Sequence, residues 1–141
     1  MKDAALHLEV YLPNGGGTFN LAPMDLGVDQ PGFSESFRQG HLRLTIPAMP
    51  NFTNNANTIT VTLQDSQDYG ASYQNCAPLA QFQLVGVAGN GTSLFVEEME
   101  FPPGLRGPLG LQIVVPAGTN TNDANGNPVL LQADWADDKL I

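Results

Sequence analysis

Residues 58–64 have the sequence Thr-Ile-Thr-Val-Thr-Leu-Gln, in which polar and apolar side chains alternate without interruption. Successive side chains of a β-strand point to opposite faces of a sheet, so this period of two predicts a strand with one buried face. Ile59, Val61 and Leu63 would face the core. The threonines suit the solvent side because their branched Cβ favours extended backbone.

The same alternation recurs along the chain and predicts about seven or eight short strands. Further strands are expected at residues 6–12, 41–46, 80–87, 92–96, 109–115 and 129–135. The run 109–115 is the most apolar and is expected to be a central strand. The last run is expected to place Val129, Leu131, Ala133 and Trp135 on one face. Gly89-Asn90-Gly91 favours a hairpin turn, because Gly and Asn tolerate positive φ.

The fold class follows from these strands and from the helix-breaking composition. The chain has 141 residues, which suits one domain with one core, and its 11 Pro and 15 Gly interrupt any long helix. We therefore expect a single all-β domain over residues 1–141, an antiparallel β-sandwich that is jelly-roll-like or Ig-like, with a barrel as the weaker alternative. Residues 22–40 have no clean period and are expected to form a long connecting loop.

The net charge of the chain argues against two classes of protein. Five Lys and Arg stand against 14 Asp and Glu, for a net charge of −9. This balance argues against a nucleic-acid binder and against a basic peripheral membrane protein. No apolar run approaches the length of a membrane span, and residues 1–7 lack the apolar core of a signal peptide. Asn, Gln, Thr and Ser outnumber the charged residues, and such a surface is easier to bury against another protein.

Few residues offer catalytic chemistry. His7 and His41 fall on the polar faces of predicted strands, and Cys76 has no recognisable nucleophile context, so we interpret it as a buried or half-buried thiol. The acidic residues cluster in two groups, Glu97, Glu98 and Glu100, and Asp134, Asp137 and Asp138. We interpret the first group as the charges of a solvated edge strand. We predict no catalytic, cofactor-binding or metal-binding residues.

Two further patterns have ordinary structural explanations. Within the polar loop 116–128, Asp123-Ala124-Asn125-Gly126-Asn127 alternates oxygen-bearing side chains as calcium loops do, but it lacks the bidentate Glu of such loops. An Asx-rich turn is the better interpretation. The aromatic platform of a carbohydrate-binding module would have to come from a small set of side chains, Trp135, Tyr69, Tyr73 and Tyr11. Core packing is the favoured role for Trp135.

A family resemblance is carried by two segments. The first is residues 59–66, Ile-Thr-Val-Thr-Leu-Gln-Asp-Ser, a predicted strand that ends in Gln-Asp-Ser. The second is residues 101–107, Phe-Pro-Pro-Gly-Leu-Arg-Gly, which precede the strand 109–115. Over residues 40–118 the chain resembles capsid cement (decoration) proteins of tailed bacteriophages, similar to that of a Bordetella phage. The resemblance implies a jelly-roll-like sandwich without enzymatic activity or cofactors, bound to the outside of a shell of major capsid protein as a homodimer or other homo-oligomer. It also implies the virion exterior as location, with host cytoplasm during assembly.

Four residues are candidate contacts with that partner. Phe33, Phe37, Leu105 and Arg106 are chosen because aromatic residues and Arg are enriched at interface centres. Equally, the two phenylalanines could cover an edge of their own sandwich, and Leu105 and Arg106 could belong to an ordinary turn. The functional alternatives are another phage head or tail structural β-protein, or a carbohydrate-binding β-sandwich module, with an enzyme as the weakest.

Overall fold

The computed structural model describes residues 7–24, 40–66, 68, 71–76, 79–100 and 109–137. These residues form β-strands joined by turns and contain no helix. The strands are β1 (His7–Tyr11), β2 (Gly17–Met24), β3 (Gly40–Ile46), β4 (Thr58–Asp65), β5 (Gln74–Asn75), β6 (Gln81–Val85), β7 (Phe95–Glu100), β8 (Leu109–Val115) and β9 (Leu130–Asp137). The expected all-β class is confirmed.

The strands form two antiparallel sheets that enclose one core. Sheet A has the order β1-β9-β3-β7, and sheet B has the order β2-β8-β4, with both β5 and β6 paired to the far side of β4. The strand β8 lies between β2 and β4, which confirms that residues 109–115 are a central strand. Within the described residues, β1 and β7 are the edges of sheet A, and β2, β5 and β6 those of sheet B.

The long-range pairings are nested. The strand β1 pairs with β9, β2 with β8, β3 with β7, and β4 with β6, and all four pairs are antiparallel. Each sheet therefore combines strands from both halves of the chain. Successive pairs in this series belong to different sheets, so the chain crosses repeatedly from one sheet to the other.

The core lies between the two sheets, where the sequence pattern places it. Ile59, Val61 and Leu63 are at most 1% exposed. They join one cluster with side chains of sheet A such as Leu42, Leu44, Leu131 and Ala133 and of sheet B such as Leu111 and Ile113. Full burial of a side chain of this size stabilises a fold by about 1.5–3 kcal/mol. The expected inward face of the last strand is confirmed for Val129, Leu131 and Ala133.

The hairpin expected around Gly89-Asn90-Gly91 is wrong. Val85 ends β6 opposite Thr58 in sheet B, whereas Phe95 begins β7 opposite Ile46 in sheet A. The connection between them bonds instead to the β3–β4 connection: the Val87 amide donates to the Phe52 carbonyl, and Met49 and Thr92 exchange two bonds of 3.0 Å. Hydrogen bonds to the β3–β4 connection thus take the place of the bonds that a hairpin would form, and the chain passes from sheet B to sheet A.

The boundaries of the expected loop 22–40 also need correction. The strand β2 continues to Met24, and Gly40 already belongs to β3, so strand residues occupy both ends of that range. The strand β2 begins at the last residue of the glycine run 15–17 and holds the alternation Phe19-Asn20-Leu21, which is too short to identify a strand by period alone. The two-residue strand β5 was likewise not expected; it exists because it pairs with the end of β4.

Candidate functional site: the outer faces of the two sheets

A row of charged side chains crosses the outer face of sheet A. His7, Asp134, Arg43 and Glu98 lie opposite one another on four neighbouring strands. The Arg43 guanidinium donates from Nε to Glu98 Oε1 at 2.8 Å, and its Nη2 lies 2.6 Å from the same oxygen. Both side chains are about 40% exposed, and a surface pair of this kind contributes about 0–1 kcal/mol. We call these four residues the charged row.

The histidine of the charged row lies between two carboxylates. Its Nδ1 is 2.5 Å from Asp134 Oδ1, and its Nε2 is 2.9 Å from Glu9 Oε2. The hydrogen bonds to Glu9 and then to Asp134 raise the pKa of His7 above its ordinary value of 6.5. Protonated His7 therefore links β1 to β9 on the outside of the sandwich. The expected polar-face position of His7 is confirmed.

A matching row on sheet B is uncharged. Asn20, Gln112, Thr62 and Gln81 lie opposite one another on β2, β8, β4 and β6, and we call them the uncharged row. Gln112 Nε2 donates to Asn20 Oδ1 at 3.4 Å, and Gln81 Nε2 donates to Thr62 Oγ1 at 2.8 Å. The strands β2, β5, β6 and β8 contain no charged residue, and β4 contains only Asp65. The charges of the described strands are thus concentrated in sheet A.

A groove of about 450 Å³ lies on the outer face of sheet B. Its floor comes from three neighbouring strands, with Asn20 and Leu21 on β2, Gln112 on β8 and Gln64 on β4, and residues 71–73 line it as well. Ligand pockets commonly measure about 300–1,000 Å³, so the groove has room for a small molecule. The described residues of its lining offer amide, hydroxyl, aromatic and aliphatic groups, and none of them is charged.

Asp68 organises the part of the lining formed by residues 71–73. Its carboxylate accepts the Ser72 amide at 2.8 Å and the hydroxyls of Ser66 and Ser72 at 2.9 and 2.5 Å. These bonds, chiefly those from Ser72, lower the pKa of Asp68, so the carboxylate stays ionised and keeps its donors at neutral pH. On the other side, β5 pairs with Gln64 and Asp65. The segment 71–73 is therefore fixed at both ends.

Exposed apolar side chains are concentrated in one part of the described chain. Residues 85–96, which we call the apolar stretch, contain four of the six large hydrophobic side chains with high exposure, at 45% to 62%: Val85, Val87, Leu94 and Val96. The other two are Tyr11 and Leu79. The apolar stretch runs from the end of the edge strand β6 to the start of the edge strand β7. Val85 lies opposite Thr58 in sheet B and Val96 opposite Thr45 in sheet A, so these exposed side chains follow the chain as it crosses between the sheets. Exposed apolar side chains grouped in this way are typical of interaction sites in soluble proteins.

The sequence-predicted contact residues are not among the described residues. Phe33 and Phe37 belong to the segment between β2 and β3, and Leu105 and Arg106 to the segment between β7 and β8; all four lie outside the described residues. The side chain of Trp135 also lies outside them, as does Tyr69. Tyr11 is exposed on β1, at the far edge of sheet A, and Tyr73 lines the groove.

The remaining candidates have structural roles. Cys76 is buried, which confirms the expected buried thiol. Burial, followed by the charge of Asp65, raises its pKa to about 12. Asp123 accepts the amides of Asn125 and Asn127 at 2.8 and 2.9 Å, which confirms the Asx turn. His41 lies 3.7 Å from Glu100. Within the part of the chain that the structure describes, no three His, Cys, Asp or Glu residues converge as metal ligands.

The groove and the uncharged row were missed by sequence reasoning. Their members come from four strands spread between Asn20 and Gln112, so only the pairing of β2, β8, β4 and β6 brings them together. One signal was present in the sequence: the strands that became sheet B lack charges apart from Asp65.

Within the described residues, no helix is long and apolar enough to cross a membrane.

Comparison with known proteins assigns no family: no family model matches the chain, and no curated protein matches it.

Proposed function

We propose that this chain is a non-enzymatic structural protein of a phage virion that binds the outside of the capsid and reinforces contacts between subunits of the major capsid protein. The observation that carries the proposal is the apolar stretch, with four exposed aliphatic side chains from the end of the edge strand β6 to the start of the edge strand β7. Burial of such side chains against a partner is favourable in proportion to the area removed from water. The resemblance of residues 40–118 to cement proteins supports the shell as that partner.

The nested pairing supports the jelly-roll form of this proposal. If the two-residue β5 is set aside, eight strands remain among the described residues, and they pair first with last, second with seventh, third with sixth and fourth with fifth. A jelly roll consists of eight strands in two sheets. We propose that assembly takes place in the host cytoplasm, that the mature location is the capsid exterior, and that a homodimer or other homo-oligomer is the bound form.

The edge strand beside the apolar stretch carries three glutamates. Glu98 and Glu100 lie on the outer side, opposite Arg43 and His41, while Glu97 lies opposite the buried Leu44 yet is itself exposed. A charged side chain that points to the core side of an edge strand discourages the addition of another strand at that edge. The proposed contact is therefore made by side chains of the apolar stretch, against a partner surface with basic residues near its apolar part.

Co-sedimentation tests the proposal directly. Purified protein is mixed with mature shells that lack it, prepared from the phage that carries the gene, and the bound fraction is measured after centrifugation. Wild type should sediment with the shells, and Leu94→Asn combined with Val96→Thr should bind at least about tenfold more weakly. Leu79→Asn, which changes an equally exposed leucine outside the stretch, serves as the matched control and should bind as wild type. Wild-type protein that stays in the supernatant would reject the proposal.

A further inference from the structure

Three amides in the groove on sheet B have hydrogen-bonding capacity that the fold does not use. Gln112 and Asn20 share one bond at 3.4 Å, and Gln64 Nε2 donates to Asn75 Oδ1 at 3.0 Å. Among the described residues, Gln112 Oε1, Gln64 Oε1 and Asn20 Nδ2 form no further bond, and Gln64 is the most enclosed of the three residues, at 9% exposure. The groove thus offers acceptors and donors at neighbouring positions on three strands.

The charge of the lining selects among ligands. The whole chain has a net charge of −9, yet none of the described residues that line the groove is charged. An anionic ligand such as a phosphate ester would find no cation here and would be repelled by the chain as a whole. A cationic ligand would find no carboxylate among the described lining residues, and the nearby carboxylate of Asp68 already accepts hydrogen bonds from Ser66 and Ser72. The groove is therefore suited to a neutral ligand with many polar groups.

The position of the groove argues against an extended peptide. A peptide that adds a strand needs the free backbone donors and acceptors of a sheet edge. The groove instead lies over the face of a sheet, across β2, β8 and β4, and both β8 and β4 pair with strands on either side. Only side chains are available there. Side-chain amides suit the hydroxyls of a sugar, because each hydroxyl is both donor and acceptor.

We propose that this groove is a binding site for an uncharged carbohydrate, with Asn20, Gln64 and Gln112 as hydrogen-bonding residues and Tyr73 as the aromatic contact. Tyr73 is the one aromatic residue among the described residues of the lining, and its ring can offer an apolar surface to the C–H side of a sugar. Asp68 acts as a positioning residue, since it fixes Ser72 next to Tyr73. This site is separate from the proposed capsid contact. It would allow the protein to bind neutral surface glycans in addition to the capsid.

The test uses the free chain, so its result is independent of shell binding. The folded protein is screened against an array of neutral and acidic glycans, and the strongest hit is titrated while the side-chain amide signals of Asn and Gln are followed by NMR. We expect binding of neutral oligosaccharides, with shifts of the Asn20, Gln64 and Gln112 signals. Absence of neutral-glycan binding at millimolar concentration overturns the proposal, as does binding restricted to acidic glycans.

Two variants and a matched control locate the site. Gln112→Thr and Tyr73→Ala should each weaken binding by about tenfold, as expected for loss of one hydrogen bond or one ring contact. Gln83→Ala removes an exposed amide from the same face of sheet B, outside the groove, and should bind as wild type. Should Gln112→Thr not fold, Asn20→Thr on the edge strand β2 replaces it. Binding that is indifferent to these changes, or equally reduced by Gln83→Ala, would contradict the site.

Discussion

Phe82 of β6 and Phe95 of β7 meet edge to face, with ring centroids 6.5 Å apart and ring planes at 84°, although their strands belong to different sheets. Their strands are consecutive in the chain and were expected to form a hairpin. The rings therefore join the two sheets at the place where the chain crosses from one to the other. An edge-to-face geometry places the positive edge of one ring against the negative face of the other.

This contact predicts a measurable coupling energy. Replacement of Phe82 by Leu, of Phe95 by Leu, and of both should give a double-mutant cycle with a coupling of about 0.5–1.5 kcal/mol, beyond the loss of buried area. The measurement is the free energy of unfolding in urea for the four proteins. Strictly additive effects of the two substitutions would show that the rings do not interact in solution.

The turn that follows β6 provides a pair of glycines with different surroundings. Gly91 has φ of +70°, and a Cβ there would lie 2.3 Å from the Pro50 carbonyl oxygen; Gly89 has φ of +85° and nothing within 4 Å. Gly89→Ala should lower the free energy of unfolding by about 1–2 kcal/mol, because only the left-handed backbone conformation is unfavourable for alanine there. Gly91→Ala should cost more than about 3 kcal/mol, because backbone must also move.

Thermal and urea unfolding of the two glycine variants check this difference. The comparison is internally controlled, since both substitutions add one methyl group to the same turn at positive φ. Equal losses of stability would mean that the close approach of Gly91 to the β3–β4 connection does not exist.

The charged row predicts a pH-dependent contribution to stability. The pKa of His7 is raised in the folded protein, chiefly by Glu9 and then by Asp134, so the folded state holds the proton more tightly than the unfolded chain. The stabilisation is fully present below the unfolded pKa of 6.5 and is lost as pH rises through the folded pKa. His7→Gln should therefore destabilise the protein at low pH and have a smaller effect at high pH.

Urea unfolding of wild type and His7→Gln, repeated between about pH 5 and about pH 9, measures this difference. An NMR titration of the His7 ring gives the folded pKa independently. A stability difference that stays constant over the range, or grows with pH, would contradict the geometry of the charged row.

The burial of Cys76 predicts that its thiol reacts slowly with thiol reagents. Cys76 is 4% exposed and its pKa is raised to about 12, so its thiolate is scarce at neutral pH and its sulfur is covered. A thiol-specific chromogenic reagent should label the folded protein far more slowly than the protein in urea. Equal labelling rates in the two conditions would place Cys76 on the surface.

The sequence was informative where one strand buries one face. The alternation in residues 58–64 identified β4 and its three core side chains, because a period of two is a property of the single strand. The topology was not accessible in this way. A turn of Gly89, Asn90 and Gly91 is compatible with a hairpin and with a crossing between sheets, and contacts with Met49 and Phe52 decide which one forms.

The candidate site shows the same limit. Asn20 and Gln112 are ordinary amides in the sequence, and they become neighbours only because β2 pairs with β8. The segregation of charge by sheet is likewise invisible until the sheet of each strand is known. Conversely, Asp123 could be interpreted correctly from sequence, because its partners Asn125 and Asn127 are local.

The rupture temperature of shells tests the central claim, reinforcement of the capsid, most directly. Mature shells lacking the protein are heated with and without saturating amounts of it, and release of packaged DNA is followed by dye fluorescence. Each contact can be modest, because many copies on one shell act together. We expect release at a higher temperature when wild-type protein is present, and no such increase with the Leu94→Asn, Val96→Thr variant. Identical release temperatures with and without the wild-type protein would contradict a role in capsid reinforcement.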